Sequence, residues 1–160
     1  MPANRLFHRL IGARMPEILW AQTRPADAQR GVFLGLMHGL ASTRYGKELG
    51  IGGTQDVSRR RDFVRHVPIV SYDELKPWIA RAMAGERDVL WPGLTKWFAQ
   101  SSGTTSDQYK WLPVTRDSLH GGHYKGGKDL LAQFCHQVPA AQLYQGKHLI
   151  LGGSSALVSE

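Results

Sequence analysis

The sequence predicts an α/β chain, with helices first and a strand–loop–strand unit in its second half. Three observations carry this. Apolar residues recur at helical spacing through the first forty positions. Ser71-Tyr72-Asp73-Glu74 is a capping box that opens a further helix. The stretch Trp97 to Pro113, W-F-A-Q-S-S-G-T-T-S-D-Q-Y-K-W-L-P, sets a run of small residues between two apolar segments.

In chain order, Ala3 to Gln22 places Leu6, Phe7, Leu10, Ile11, Met15, Ile18 and Leu19 on one helical face, with Pro16 as an interruption. Its basic, acid-poor first half also suits a membrane-surface or transit helix, but core-packed amphipathic helices are commoner. Pro25 is placed to start a second helix with Val32, Phe33, Leu36, Met37 and Leu40 as its stripe. Gly31, Gly35 and Gly39 lie four apart and predict a close helix contact. Ser42 to Gly53 reads as a Gly-rich connection, and Asp56 to Phe63 as a short helix.

Val67 to Val70 is extended and apolar. The helix opened by Ser71 buries Leu75, Trp78, Ile79 and Ala82 and stops at Gly85, with a distortion expected at Pro77. Asp88 to Gly93 bears a turn. After the strand pair, Thr115 caps a helix through Leu119, Tyr124, Leu130, Leu131 and Phe134. Gly121, Gly122, Gly126 and Gly127 weaken its first half, and Pro139 blocks its continuation. His148 to Leu151, closed by Gly152-Gly153, reads as a buried strand.

The loop Ser101-Ser102-Gly103-Thr104-Thr105-Ser106 has five hydroxyls and one glycine. Gly103 lets the backbone take positive φ or approach a ligand closely. Successive N–H groups in such a turn make an anion-binding concavity. Hydroxyls add donors to phosphate oxygens or ligate Mg²⁺, and Lys110 brings an ammonium to the same anion. On composition alone an ordinary Ser/Thr turn remains the alternative.

The pattern S-S-G-T-T-S-x-x-x-K-x-x-P resembles the phosphate-binding motif of the adenylate-forming enzymes. It is most similar to the plant auxin-responsive acyl-acid amido synthetases of the Gretchen Hagen type and their bacterial relatives. The upstream blocks Phe63 to Glu86 and Val89 to Gln100 run in that family's order, and the likeness is good from about Asp62 to Thr115. The resemblance implies an α/β domain with N-terminal helices packed on part of a mixed sheet and the phosphate loop between two strands. Residues 1–160 would be the N-terminal portion of an incomplete adenylate-forming domain, the remainder and a small C-terminal domain lying beyond residue 160.

The activity implied is a two-step ligation that uses ATP and Mg²⁺. A carboxylic acid is converted to an acyl-adenylate, and an amino acid amine then forms the amide. Ser101, Ser102, Gly103, Thr104, Thr105 and Ser106 would wrap the phosphates, Lys110 would act on them, and Tyr72, Trp78 and Arg81 match the upstream block as structural residues. Asp107 stands where the family usually has glycine, and a carboxylate there repels a triphosphate. The expectation is therefore a segment inactive alone, with a vestigial or non-catalytic nucleotide-binding domain as the second reading.

Composition is that of a globular chain with a real core: 160 residues, 42% hydrophobic and 21% charged. The net charge of +7 is spread out apart from Arg59-Arg60-Arg61, with no interleaved aromatics, so a nucleic-acid platform is not expected. A basic nucleic-acid module would instead show steep salt dependence. One cysteine, Cys135, allows no intrachain disulfide, and no apolar run reaches membrane length. A cytoplasmic protein that binds no membrane is expected, its oligomeric state open.

Three other motifs are weaker. Gly122 to Asp129 nearly spells a Walker loop, but Asp129 replaces the Mg²⁺-holding hydroxyl residue. His120, His123, Cys135 and His136 match no usual zinc spacing, and no metal site is expected. Gly152 to Ala156 lacks an assignable histidine and acid for a nucleophile elbow.

Overall fold

The computed structural model describes residues 2–51, 60–101, 109–143, 145–147 and 149. The chain divides into two compact units, residues 1–15 with 128–160 and residues 16–127.

The first unit contains α1 (Pro2–Gly12) and most of α7 (Tyr124–Gln137). Asn4, Ile11, Ala132 and Cys135 are buried in it. The Arg14 guanidinium donates to Asp129 at 2.7 Å, and the His8 ring meets the Ala141 carbonyl at 2.9 Å. The sequence predicted one interrupted helix to Gln22; there are two, because the chain turns after Gly12 and α2 (Met15–Thr23) begins again. Pro16 sits in the first turn of α2, where a missing N–H costs nothing. α7 ends at Gln137, two residues before Pro139, as predicted.

The second unit runs through α3 (Pro25–Ala41), α4 (Arg44–Glu48), α5 (Arg60–His66), α6 (Tyr72–Met83), β1 (Trp97–Ser101) and β2 (Lys110–Val114) to a π-helix (Ser118–His123) that leads into α7. Ile18, Ile51, Ile79, Ala82 and Val89 are buried here. Edge-on ring pairs join the helices, Phe33 with Phe63 at 5.6 Å and Tyr45 with Trp78 at 5.2 Å.

Two connections differ from expectation. α3 begins at Pro25 as predicted, but its glycine stripe is not a helix seam. Gly31 and Gly35 face open space, whereas a Cβ on Gly39 would lie 2.6 Å from the six-membered ring of Trp91. The close partner is an indole from a loop 52 positions away. The segment after Ser42 is not a loose connection but carries α4. Thr43, fully buried, caps it: its hydroxyl accepts from Gly46 N–H at 2.9 Å and donates to the Leu40 carbonyl at 2.7 Å. The next two amides, Arg44 and Tyr45, donate to the carbonyls of Asp88 and Val89 at 2.7 and 3.1 Å. The loop therefore satisfies helix donors that would otherwise be orphaned.

The turn predicted at Asp88 to Gly93 is present. Asp88 takes a φ of 57°, its carboxylate accepts from Gly93 N–H at 2.6 Å, and its own N–H donates to the Gly93 carbonyl at 2.9 Å. The helix expected at Asp56 to Phe63 is present over its described part and continues to His66 as α5, with positions 56–59 outside the described residues. Of the expected strand at 148–151, only Leu149 is described; it is exposed and in no strand.

α6 carries the predicted capping box, Ser71 N–H donating to the Glu74 carboxylate at 2.7 Å. It remains helical through Pro77 and ends at Gly85, whose φ is 86°. Gly85 N–H donates to Ala82 O and Glu86 N–H to Arg81 O, the paired bonds of a Schellman ending. Arg81 in turn grips the Glu86 side chain through two bonds of 2.7 Å and covers the Trp78 ring at 4.7 Å, while Arg44 pairs with Glu86 at 2.6 Å. Trp78 and Arg81 are thus structural, as the sequence implied.

The Arg81 hydrogen bonds, with the charges of Arg81 and Arg44, hold the Glu86 carboxyl below its ordinary value of 4.5. A lowered folded pKa gives stability that is present above the unfolded value and lost as pH falls through the folded one. The melting-temperature gap between wild type and Glu86→Gln should be full at neutral pH and close as pH drops below 4.5. Glu74 is also lowered, by Ser71, but titrates equally in both proteins. A gap independent of pH would mean that the Glu86 charge is not what Arg81 holds.

A candidate phosphate-binding hairpin

β1 and β2 form an antiparallel pair, the one sheet among the described residues, with Trp97 opposite Val114 and Ser101 opposite Lys110. The strand–loop–strand expectation therefore holds for the flanks. Ser101 closes β1 half-buried, and Lys110 opens β2 exposed. The pairing brings these two predicted site residues together at the last pair of the register. Ser102, Gly103, Thr104, Thr105, Ser106 and Asp107 lie outside the described residues.

Tyr72, in the first turn of α6, fixes the start of β2. Its hydroxyl accepts from Trp111 N–H at 2.8 Å and lies 3.4 Å from the Trp111 carbonyl oxygen. In an antiparallel pair alternate residues turn their backbone groups away from the partner strand. Trp111 is such a residue, and the phenol occupies the donor and acceptor it presents. The same ring lies beneath the Lys110 ammonium, 5.5 Å from its centroid. Sequence reading treated Tyr72 as structural. Its contact with the loop lysine went unread because the two are 38 positions apart and no local pattern couples them.

Lys110 forms no ion pair among the described residues. Its charge is therefore available at the start of β2, which follows the hydroxyl-rich stretch in the sequence. An ammonium, backbone amides and hydroxyls together suit an oxyanion with several oxygens, such as a phosphate chain.

The Walker-like run is helical throughout its described length, Gly122 and His123 in the π-helix and the rest in α7, so it forms no phosphate-wrapping loop. The predicted cap of this segment is present, Ser118 N–H donating to Thr115 Oγ1 at 3.0 Å. Its glycine-rich first half is a wider helix than expected, with Gly121 and Gly122 facing open space. Gly152 to Ala156 lies outside the described residues. No helix among the described residues is long and apolar enough to cross a membrane.

Known proteins resemble this chain over much of its length. An indole-3-acetic acid-amido synthetase of Oryza sativa subsp. indica (GH3.8) is 36% identical over 99 residues, 61% of this chain and 16% of that protein. One from Arabidopsis thaliana (GH3.3) is 33% identical over 100 residues, again 61% of this chain and 16% of its own length. The chain thus spans about one-sixth of the length of the curated relatives it matches. Residues 14–156 match the model of the GH3 family N-terminal domain, and with nearly the whole sequence accounted for in this way, the chain belongs to the GH3 family.

Proposed function

We propose that this chain supplies the triphosphate-holding part of an ATP-dependent acyl-acid amido synthetase. The observation that carries the proposal is the β1–β2 register, which sets Ser101 against Lys110 in a chain of this family. In the first step a carboxylate oxygen attacks the α-phosphorus of ATP, giving an acyl-adenylate and releasing pyrophosphate. In the second an amino acid amine attacks the acyl carbon, and AMP leaves.

Both reactants of the first step are anions, so the electrostatic work is to bind the triphosphate and stabilise departing pyrophosphate. Backbone N–H groups around Gly103 and the hydroxyls of Ser101, Ser102, Thr104, Thr105 and Ser106 hold the β- and γ-phosphates. Lys110 neutralises them, and Tyr72 fixes the strand from which Lys110 projects. Mg²⁺ bound with the nucleotide supplies further charge neutralisation. The second reading, a nucleotide-binding domain without catalysis, is favoured by Asp107.

The test is carboxylic acid-dependent exchange of labelled pyrophosphate into ATP by the full protein, beside direct ATP binding. Thr105→Ala is expected to lower exchange about tenfold or more, the usual effect of losing a hydrogen bond to a charged group. Exchange that is unchanged would refute the loop assignment. ATP binding without any acid-dependent exchange would select the non-catalytic reading.

A further inference from the structure

We propose that the second unit carries a binding site for a small primary amine with an apolar body and no carboxylate. It is the cleft of about 580 Å³ between α3, the turn after Asp88, the end of β2 and the π-helix. That volume is in the range of small-molecule sites. Val32 and Leu36, one turn apart on α3, form one wall and are both largely exposed. Leu90, Trp91 and Pro113 continue it. Gly121 and Gly122 of the π-helix leave the opposite side open, with nothing within 4 Å of where a Cβ would be. Single π-turns within α-helical runs are frequently found at functional sites.

The polar features of this cleft select the ligand. Thr115 and Ser118 hydrogen-bond to each other, so their hydroxyls are committed to the helix start. Among the described residues, Asp117 is the single charged residue lining the cleft. Its Oδ2 accepts from Trp91 Nε1 at 2.8 Å, which pins the indole whose far end rests on Gly39. Oδ1 has no hydrogen bond or ion pair among the described residues. An apolar cleft with one spare carboxylate oxygen favours an ammonium on a hydrophobic body, to which the indole adds cation–π attraction. It disfavours a carboxylic acid, and also an amino acid, whose carboxylate Asp117 would repel. The site is separate from Lys110, since Pro113 lies about 10 Å along β2 from it. It stands or falls independently of pyrophosphate exchange.

The probe is 2-phenylethylamine, with 2-phenylethanol and phenylacetate as neutral and anionic counterparts. Binding to the full protein is followed through the Trp91 indole N–H resonance, identified as the one lost in Trp91→Phe. The amine should shift that resonance and bind at least tenfold tighter than the alcohol, while phenylacetate has no effect. Asp117→Asn, which can still accept from Trp91, should remove the amine's advantage. Gly122→Leu, set where there is open space, should block binding while leaving the fold intact. Equal affinity for amine and alcohol, or an Asp117→Asn variant that binds the amine undiminished, would overturn the proposal. So would an indole N–H unaffected by any probe and already protected from exchange, since the cleft would then be filled by protein.

Discussion

Gly46→Ala should cost this protein about 2–4 kcal/mol, roughly 1–3 from overpacking and about 1 from loss of a helix cap. A Cβ at Gly46 would sit 1.9 Å from the Leu40 carbonyl oxygen, 2.7 Å from its carbon and 3.2 Å from Thr43 Oγ1. Two of these are backbone atoms, so no side-chain rotation relieves the clash. The third belongs to the hydroxyl that joins Leu40 to Gly46 and caps α4. Moving α4 away also strains the bonds from Arg44 and Tyr45 to Asp88 and Val89. Against a total stability of about 5–15 kcal/mol this is a large share. Urea denaturation should show a lower midpoint with unchanged slope. Gly31→Ala is the informative control, because it is exposed in α3 with open space around it and should stabilise by about 1 kcal/mol. If both variants melt with the wild type, the packing described around Thr43 is wrong.

Lys110→Ala should reduce acid-dependent pyrophosphate exchange by about 10²–10³, the usual effect of removing one group aimed at developing negative charge. Stability should hardly change. Lys110 is exposed and, among the described residues, its ammonium lies over the Tyr72 ring face, an interaction of about 0.5–1 kcal/mol at such a site. This separation makes the variant diagnostic. If Lys110 acts on pyrophosphate departure, kcat falls more than KM for ATP rises; an effect confined to KM means it serves binding alone. Lys110→Arg should retain part of the rate through its charge, without matching the lysine. Exchange within twofold of wild type in Lys110→Ala would remove this residue from the site.

What could be read from the sequence follows sequence distance. The start of α3 at Pro25, the Ser71–Glu74 box and the ending at Gly85 depend on residues within a turn of each other, and all three were legible. The hairpin flanks were legible because apolar segments bracket six small residues, which also put Ser101 near Lys110. α4 was hidden by its surrounding glycines, although Thr43 three positions before Gly46 is a cap signal. The contacts of Gly39 with Trp91 and of Tyr72 with Trp111 link distant positions, and no periodicity announces them. The phosphate-loop reading of residues 101–106 rests on family likeness rather than on residue chemistry, which leaves an ordinary turn open.

Cys135 gives this protein an internal chemical reporter. It is the chain's single thiol, and it is buried beside Ala132 in the unit built from α1 and α7. At 6% exposure it reacts slowly with a maleimide until that unit opens, so a rise in alkylation rate reports local opening there rather than events confined to residues 16–127. Destabilisation seeded at Gly46 would therefore quicken labelling only if the two units unfold as one, and the same tube of reagent reads out their cooperativity.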